Sequence, residues 1–109
     1  MIKFTITRPL YAYRRVKDKG RYKPYQEYKN RVLGLAMEAG WRGRVDSVPE
    51  FPVKLSANVF WRKNPRMDAS NFIKGVEDAL FSQDRWILDL HVVMFPNHGE
   101  ESAVVEVGW

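Results

Sequence analysis

Residues 66–93 read RMDASNFIKGVEDALFSQDRWILDLHVV, and the parsing of this stretch decides the fold. Phe72, Ile73, Val76, Ala79 and Leu80 recur at intervals of three and four and fall on one side of a helical wheel, which predicts a helix over 69–81. The apolar run that follows predicts a strand over 90–95, with Trp86, Ile87 and Leu88 packed into the core. A helix leading directly into a strand excludes all-α and all-β architectures.

Working outward toward the N-terminus, Val53, Leu55, Ala57, Val59 and Trp61 alternate with Lys54, Ser56, Asn58 and Arg62, the pattern of a half-buried strand. Asn64 and Pro65 end it. Before it, residues 41–50 carry Gly, Arg, Asp, Ser and Pro and read as a surface connection. Tyr25, Tyr28, Val32, Leu35, Ala36 and Ala39 form an apolar stripe that begins just after Pro24, a residue suited to the first turn of a helix, and stops at Gly40. At the start of the chain Ile2, Phe4 and Ile6 alternate with Lys3, Thr5 and Thr7, a strand that ends by Pro9. Toward the C-terminus, Pro96, Asn97, His98 and Gly99 read as a turn. Ala103, Val105, Val107 and Trp109 then predict a last strand that pairs with its predecessor as a hairpin. The expected order is β-α-β-α-β-β: an α+β fold, one small domain over 1–109, with a mixed sheet of about four strands covered by two helices.

Composition supports a globular chain. The 109 residues are 45% hydrophobic and 28% charged, and four Trp, five Tyr and six Phe can build a core without covalent staples. There is no cysteine, which excludes disulfide scaffolds and thiolate zinc sites. The opening MIKFTITRPL lacks the apolar segment of a signal peptide and no apolar run approaches membrane-spanning length, so a soluble cytoplasmic protein with no membrane partner is expected. The formal net charge of +5 is concentrated. Arg14, Arg15, Lys17, Lys19, Arg21 and Lys23 follow one another with Asp18 as the only acid, interleaved with Tyr11, Tyr13, Tyr22 and Tyr25. That mixture suits phosphate neutralisation together with packing against sugars or bases, and equally a solvated loop.

Chemistry concentrates around the second helix. Asn71, Lys74 and Asp78 lie within about 60° of one another on the wheel, away from the apolar stripe. Asp68 stands at the helix entrance, where unpaired N–H groups and the dipole favour an anion. Each residue also has an ordinary role. Asp68 or Ser70 can be an N-cap, Lys74 a surface lysine, Asp78 a partner of Lys74 one turn earlier, and Asp89 a turn residue before a strand. His91 can be a ligand or a solvated strand residue.

In combination, Asp68, Asn71, Lys74, Asp78-Ala79-Leu80, Trp86, Asp89 and Val92-Val93 resemble the signature of the RusA family of Holliday junction resolvases. Outside residues 66–93 the similarity is weaker but collinear. The resemblance implies a RusA-like fold and a metal-dependent endodeoxyribonuclease that resolves four-way junctions and other branched DNA by paired phosphodiester nicks. It further implies Asp68, Lys74 and Asp89 as catalytic residues, with Asp68 and Asp89 as ligands for Mg²⁺ or Mn²⁺ and no small-molecule cofactor. A homodimer and a bacterial, phage or prophage setting also follow from it. Arg14, Arg15, Lys17, Lys19, Arg62, Lys63 and Arg66 would contact DNA phosphates, which position a duplex without reading its sequence. One residue departs from the family pattern: the second aspartate of its Asp-x-Asp pair is Ser70. Two carboxylates about 4 Å apart repel by roughly 4 kcal/mol at an effective dielectric of 20, so losing one lowers both the repulsion and the affinity for Mg²⁺. Serine still offers a neutral oxygen, and Mg²⁺ keeps several waters, so Ser70 would be a weakened third position.

Geometry sets a condition on that site. The helix is about 20 Å long, and the connection from Ser82 to Asp89 reaches at most about 25 Å. Asp89 joins Asp68 only if the chain runs back along the helix, with the third strand then expected antiparallel to the second, or if a second subunit supplies it. Two rivals stand beside the nuclease: a non-catalytic branched-DNA-binding protein with a degraded metal site, and an unrelated RNA-binding or protein-interaction domain.

Overall fold

The computed structural model describes residues 1–7, 10, 23–41, 53–61, 68–81, 87–95 and 99–108, with the backbone alone at Ile87 and Leu88. The expected order is found: strand β1 (Ile2–Thr7), helix α1 (Lys23–Glu38), strand β2 (Val53–Phe60), helix α2 (Ala69–Leu80), strand β3 (Ile87–Phe95) and strand β4 (Ser102–Gly108). Four strands form one mixed sheet in the spatial order β1-β4-β2-β3. β4 is antiparallel to both of its neighbours, and β3 is parallel to β2.

Strict alternation creates the two layers. Ile2, Phe4 and Ile6 of β1, Val53, Leu55, Ala57 and Val59 of β2, and Ala103, Val105 and Val107 of β4 are all buried on one face. Both helices close that face. α1 contributes Tyr25, Tyr28, Val32 and Ala36, and α2 contributes Phe72, Ile73, Val76, Ala79 and Leu80, all within one continuous apolar cluster. Of the stripe expected on α1, Leu35 is only half-buried and Ala39 is exposed, because the helix is ending there.

Gly40 terminates α1 as its position in the sequence predicts. Its φ of +115° is a conformation that L side chains rarely adopt. The Gly40 N–H donates to the Met37 carbonyl at 3.0 Å and the Trp41 N–H to the Ala36 carbonyl at 2.9 Å, the paired bonds of a Schellman motif. The chain then places Trp41 in the core. Its indole Nε1–H donates to the Leu80 carbonyl at 3.1 Å, and its ring meets Phe81 edge-on at 5.2 Å. One aromatic residue therefore ties the ends of both helices together.

Two expectations about the C-terminal half are corrected. β3 and β4 do not form a hairpin: β4 crosses to the centre of the sheet, between β1 and β2, and leaves β3 at the edge. The central place suits β4, since Ala103, Val105 and Val107 are fully buried while Leu90 and Phe95 of β3 are 48% and 40% exposed. The second correction concerns direction. β3 runs parallel to β2 and starts beside Val53, at the beginning of β2 rather than its end. The helix accounts for this, because α2 itself carries the chain back along β2, as a crossover between parallel strands must. β3 also begins three residues earlier than the sequence suggests. Trp109 and the side chains of Trp86, Ile87 and Leu88 lie outside the described residues.

Candidate functional site

α2 begins where Asp68 caps it. Asp68 has an extended backbone (φ −74°, ψ 131°), and its Oδ1 accepts from the N–H groups of Ser70 at 2.7 Å and Asn71 at 3.4 Å. The Phe72 N–H then donates to the Asp68 carbonyl at 2.9 Å, the first bond of the helix. The carboxylate is exposed and satisfies orphan donors, a contribution of about 1 kcal/mol. Of the two capping candidates, Asp68 takes the role and Ser70 lies inside the first turn.

The polar side of α2 is divided between two neighbours. Asp78 turns toward α1, where Lys29 Nζ lies 3.0 Å from its Oδ2 and the Tyr25 hydroxyl donates to the same oxygen at 3.4 Å. Lys29 also stands over the Tyr25 ring, 5.3 Å from its centroid. The partner of Asp78 is thus a lysine 49 positions earlier and not Lys74. Helix propensity and spacing do not reveal such a contact, because it depends on how α1 crosses α2. Asn71 and Lys74 are exposed, as expected.

Ser70 and Lys74 face the other neighbour. With Glu77 they form one wall of an open groove of about 400 Å³, whose floor and opposite wall come from Ile73, Leu90 and Val92. Sequence reasoning missed Glu77. The signal was present in the spacing 70, 74, 77, which places three polar side chains on a single helical stripe.

Asp89 is placed differently. In the parallel ladder it pairs with Lys54, one residue beyond a register shift that leaves Leu88 as an extra residue in β3. The bulge sets the facing of the whole strand. After it, Leu90 and Val92 pair with the buried Leu55 and Ala57, while Asp89 and His91 pair with Lys54 and Ser56 on the face turned away from the helices. Asp68 caps α2 in the helix layer, whereas Asp89 pairs with Lys54 on the opposite face of the sheet. The fold therefore brings Ser70 and Lys74 together on one groove and sets Asp68 and Asp89 in different layers of the domain. Among the described residues no three His, Cys, Asp or Glu side chains gather where they could hold a metal ion.

Arg14, Arg15, Lys17, Lys19, Arg62, Lys63 and Arg66 lie outside the described residues, as does His98. On the outer face, Phe60 and Phe95 stack in register at the far end of the ladder, with centroids 5.0 Å apart and planes at 16°.

No family model matches the chain, and no curated protein matches it. Among the described residues no helix is long and apolar enough to cross a membrane.

Proposed function

We propose that the chain is a RusA-like, metal-dependent endodeoxyribonuclease that resolves Holliday junctions and other branched DNA by paired nicks, working as a homodimer in the cytoplasm of a bacterium or in a phage or prophage setting. The observation that carries this reading is the arrangement at the start of α2. An exposed aspartate at the cap is followed by Ser70 and Lys74 on the same side of an open groove. Lys74 is suited to offset charge on a phosphate oxygen. The strongly basic segment between β1 and α1 supports a polyanionic partner. The reading calls for Mg²⁺ or Mn²⁺. Asp68 and Asp89 of one chain belong to different layers, so an ion that needs both carboxylates would draw on a second copy.

That separation favours a second reading specifically. With Ser70 in place of a carboxylate and Asp89 on the far face of the sheet, the chain fits a branched-DNA-binding protein whose metal site has decayed. One experiment separates the two. Labelled four-way junctions and matched linear duplexes are incubated with the protein, with Asp68→Asn and with Ser70→Asp, in Mg²⁺, Mn²⁺ or chelator. Metal-dependent paired nicking that disappears in Asp68→Asn supports the nuclease. Junction binding without nicking, with cleavage appearing only in Ser70→Asp, supports the binding protein. Absence of any preference for branched over linear DNA rejects both.

A further inference from the structure

β3 is the least protected strand of the sheet. It lies at the edge with one side of its backbone unpaired by any other described strand, and its sequence, ILDLHVVMF, holds no lysine or proline to discourage another strand from adding to it. Its polar residues are Asp89 and His91, both exposed. Leu90, between them, is 48% exposed and turned toward the groove that α2 forms along this edge. A strand laid against β3 would satisfy the open backbone and cover Leu90, Val92 and Ile73.

We infer that this edge takes the β3 strand of a second copy, paired antiparallel about a two-fold axis through Leu90. The choice of occupant follows from self-complementarity. Two identical antiparallel strands related by such an axis must pair residues whose numbers sum to an even constant, so that facing side chains share a face. Centring on Leu90 sets Asp89 of each copy opposite His91 of the other, on the outer face. There the imidazole N–H donates to the carboxylate, a contact made twice by symmetry. The same register sets Leu90 against Leu90 on the helix face, at the mouth of the apolar groove. Centring one residue later places His91 against itself and Asp89 against Val93. Centring on Val92 sets Asp89 against Phe95. Only the Leu90 axis pairs both polar residues with each other.

The groups facing the Asp89–His91 contact from β2 are Lys54 and Ser56, which share its face in register. Lys54 adds a further cation beside Asp89 without opposing the pair. The interface supplies a surface for the homodimer of the proposed function, yet it is read without DNA or metal, so its failure and the failure of the nuclease reading are distinct results.

The absence of native cysteine makes the register directly testable. Leu90→Cys places one thiol on the axis, facing its own copy at the Cβ separation of a directly opposed pair, about 4.5–5.5 Å. Val92→Cys places it four residues along from its copy, out of disulfide reach. Under mild oxidation the expected result is a covalent dimer from Leu90→Cys and none from Val92→Cys. In sedimentation equilibrium the wild-type chain is expected at twice its 12.8 kDa mass. His91→Asp is expected to raise the dimer dissociation constant about 10-fold by opposing two carboxylates twice, and the exchange Asp89→His with His91→Asp should restore it. Leu90→Lys, at an exposed position, is expected to give a folded monomer, with an unchanged far-ultraviolet circular dichroism spectrum. A wild-type monomer at high micromolar concentration overturns the inference. So does a dimer indifferent to Leu90→Lys, or cross-linking by Val92→Cys in place of Leu90→Cys.

Discussion

On the helix-covered face of the sheet Val53, Leu55, Val59, Val105 and Val107 are shut from solvent, whereas the same two central strands and the β1 edge turn Lys3, Thr5, Lys54, Asn58 and Glu106 outward, all exposed. The difference assigns two kinds of work to one set of strands. Inward residues are held by a shared core, so each depends on its neighbours in both layers. Outward residues, the Phe60–Phe95 stack aside, are held mainly by backbone register and are freer to vary in chemistry. Asp68 and α2 belong to the first layer and Asp89 to the second. A site that needs both carboxylates must therefore bridge the sheet or draw on another copy.

The largest expected effect breaks the inner layer. Phe72 has no exposed surface and heads the fully buried side chains by size. Phe72→Ala is expected to cost about 3–5 kcal/mol, the transfer term plus the cavity left behind. Urea unfolding followed by tryptophan fluorescence reads it, and a loss below about 1 kcal/mol would mean that α2 does not pack on the sheet as described. Next comes the point where the inner layer is closed off. A Cβ added at Gly40 would meet Ile2 Cγ2 at 3.4 Å, which is tight but tolerable, so the cost of Gly40→Ala lies in the φ of +115°. About 1–3 kcal/mol is expected, visible as a lowered Tm. Gly40→Asn, which tolerates positive φ better, should recover part of it.

These two residues also show what could be read in the sequence and why. The periods of β1, β2, α2 and β4 were legible because each element has one buried face and its side chains obey local geometry. Gly40 was legible because a helix stop demands a conformation that few residues adopt. Strand order was not legible. The apolar spacing of β3 and β4 fits a hairpin as well as it fits a crossover to the sheet centre, and the choice depends on which strand can be buried on one full face. The bulge at Leu88 was likewise invisible, yet it alone turns Asp89 outward and Leu90 inward. At the candidate site the cap at Asp68 and the exposure of Lys74 were legible from position. The diversion of Asp78 to Lys29 and the entry of Glu77 into the groove required the packing of three elements.

A smaller effect sharpens the contrast between the two aspartates. Asp68 bonds the helix N-terminus, so Asp68→Ala is expected to lower stability by about 1 kcal/mol, and Asp68→Asn by less, since an amide oxygen still caps. Asp89 stands exposed beside Lys54 on the outer face, so Asp89→Ala should stay within about 0.5 kcal/mol. Measured together by chemical unfolding at a concentration where the chain is monomeric, the pair tests the assignment of the two residues to different layers. Equal losses at both positions would show Asp89 to be bound into the fold more tightly than its register implies. This comparison also guards the nuclease assay, because a loss of cleavage in Asp68→Asn counts as chemistry only after the loss of the cap has been measured.

The smallest effect lies on the seam between the helices. Lys29 and Asp78 form an ion pair at 3.0 Å with side chains 21% and 38% exposed, and the Tyr25 hydroxyl shares the same carboxylate oxygen. Solvent screens a pair this open, and holding a lysine in one rotamer costs entropy, so the coupling expected from a double-mutant cycle of Lys29→Met and Asp78→Asn is about 0.3–0.5 kcal/mol. It should shrink further in high salt, as a partly exposed pair must. The contact earns its interest from direction rather than size. α1 and α2 present several apolar residues to the sheet, and a charged contact at one fixed crossing point selects a single alignment among the ways those residues could interdigitate. If the coupling vanishes at all salt concentrations while Phe72→Ala retains its full cost, the helix layer is aligned by shape alone and the polar side of α2 is left to its solvent-facing groove.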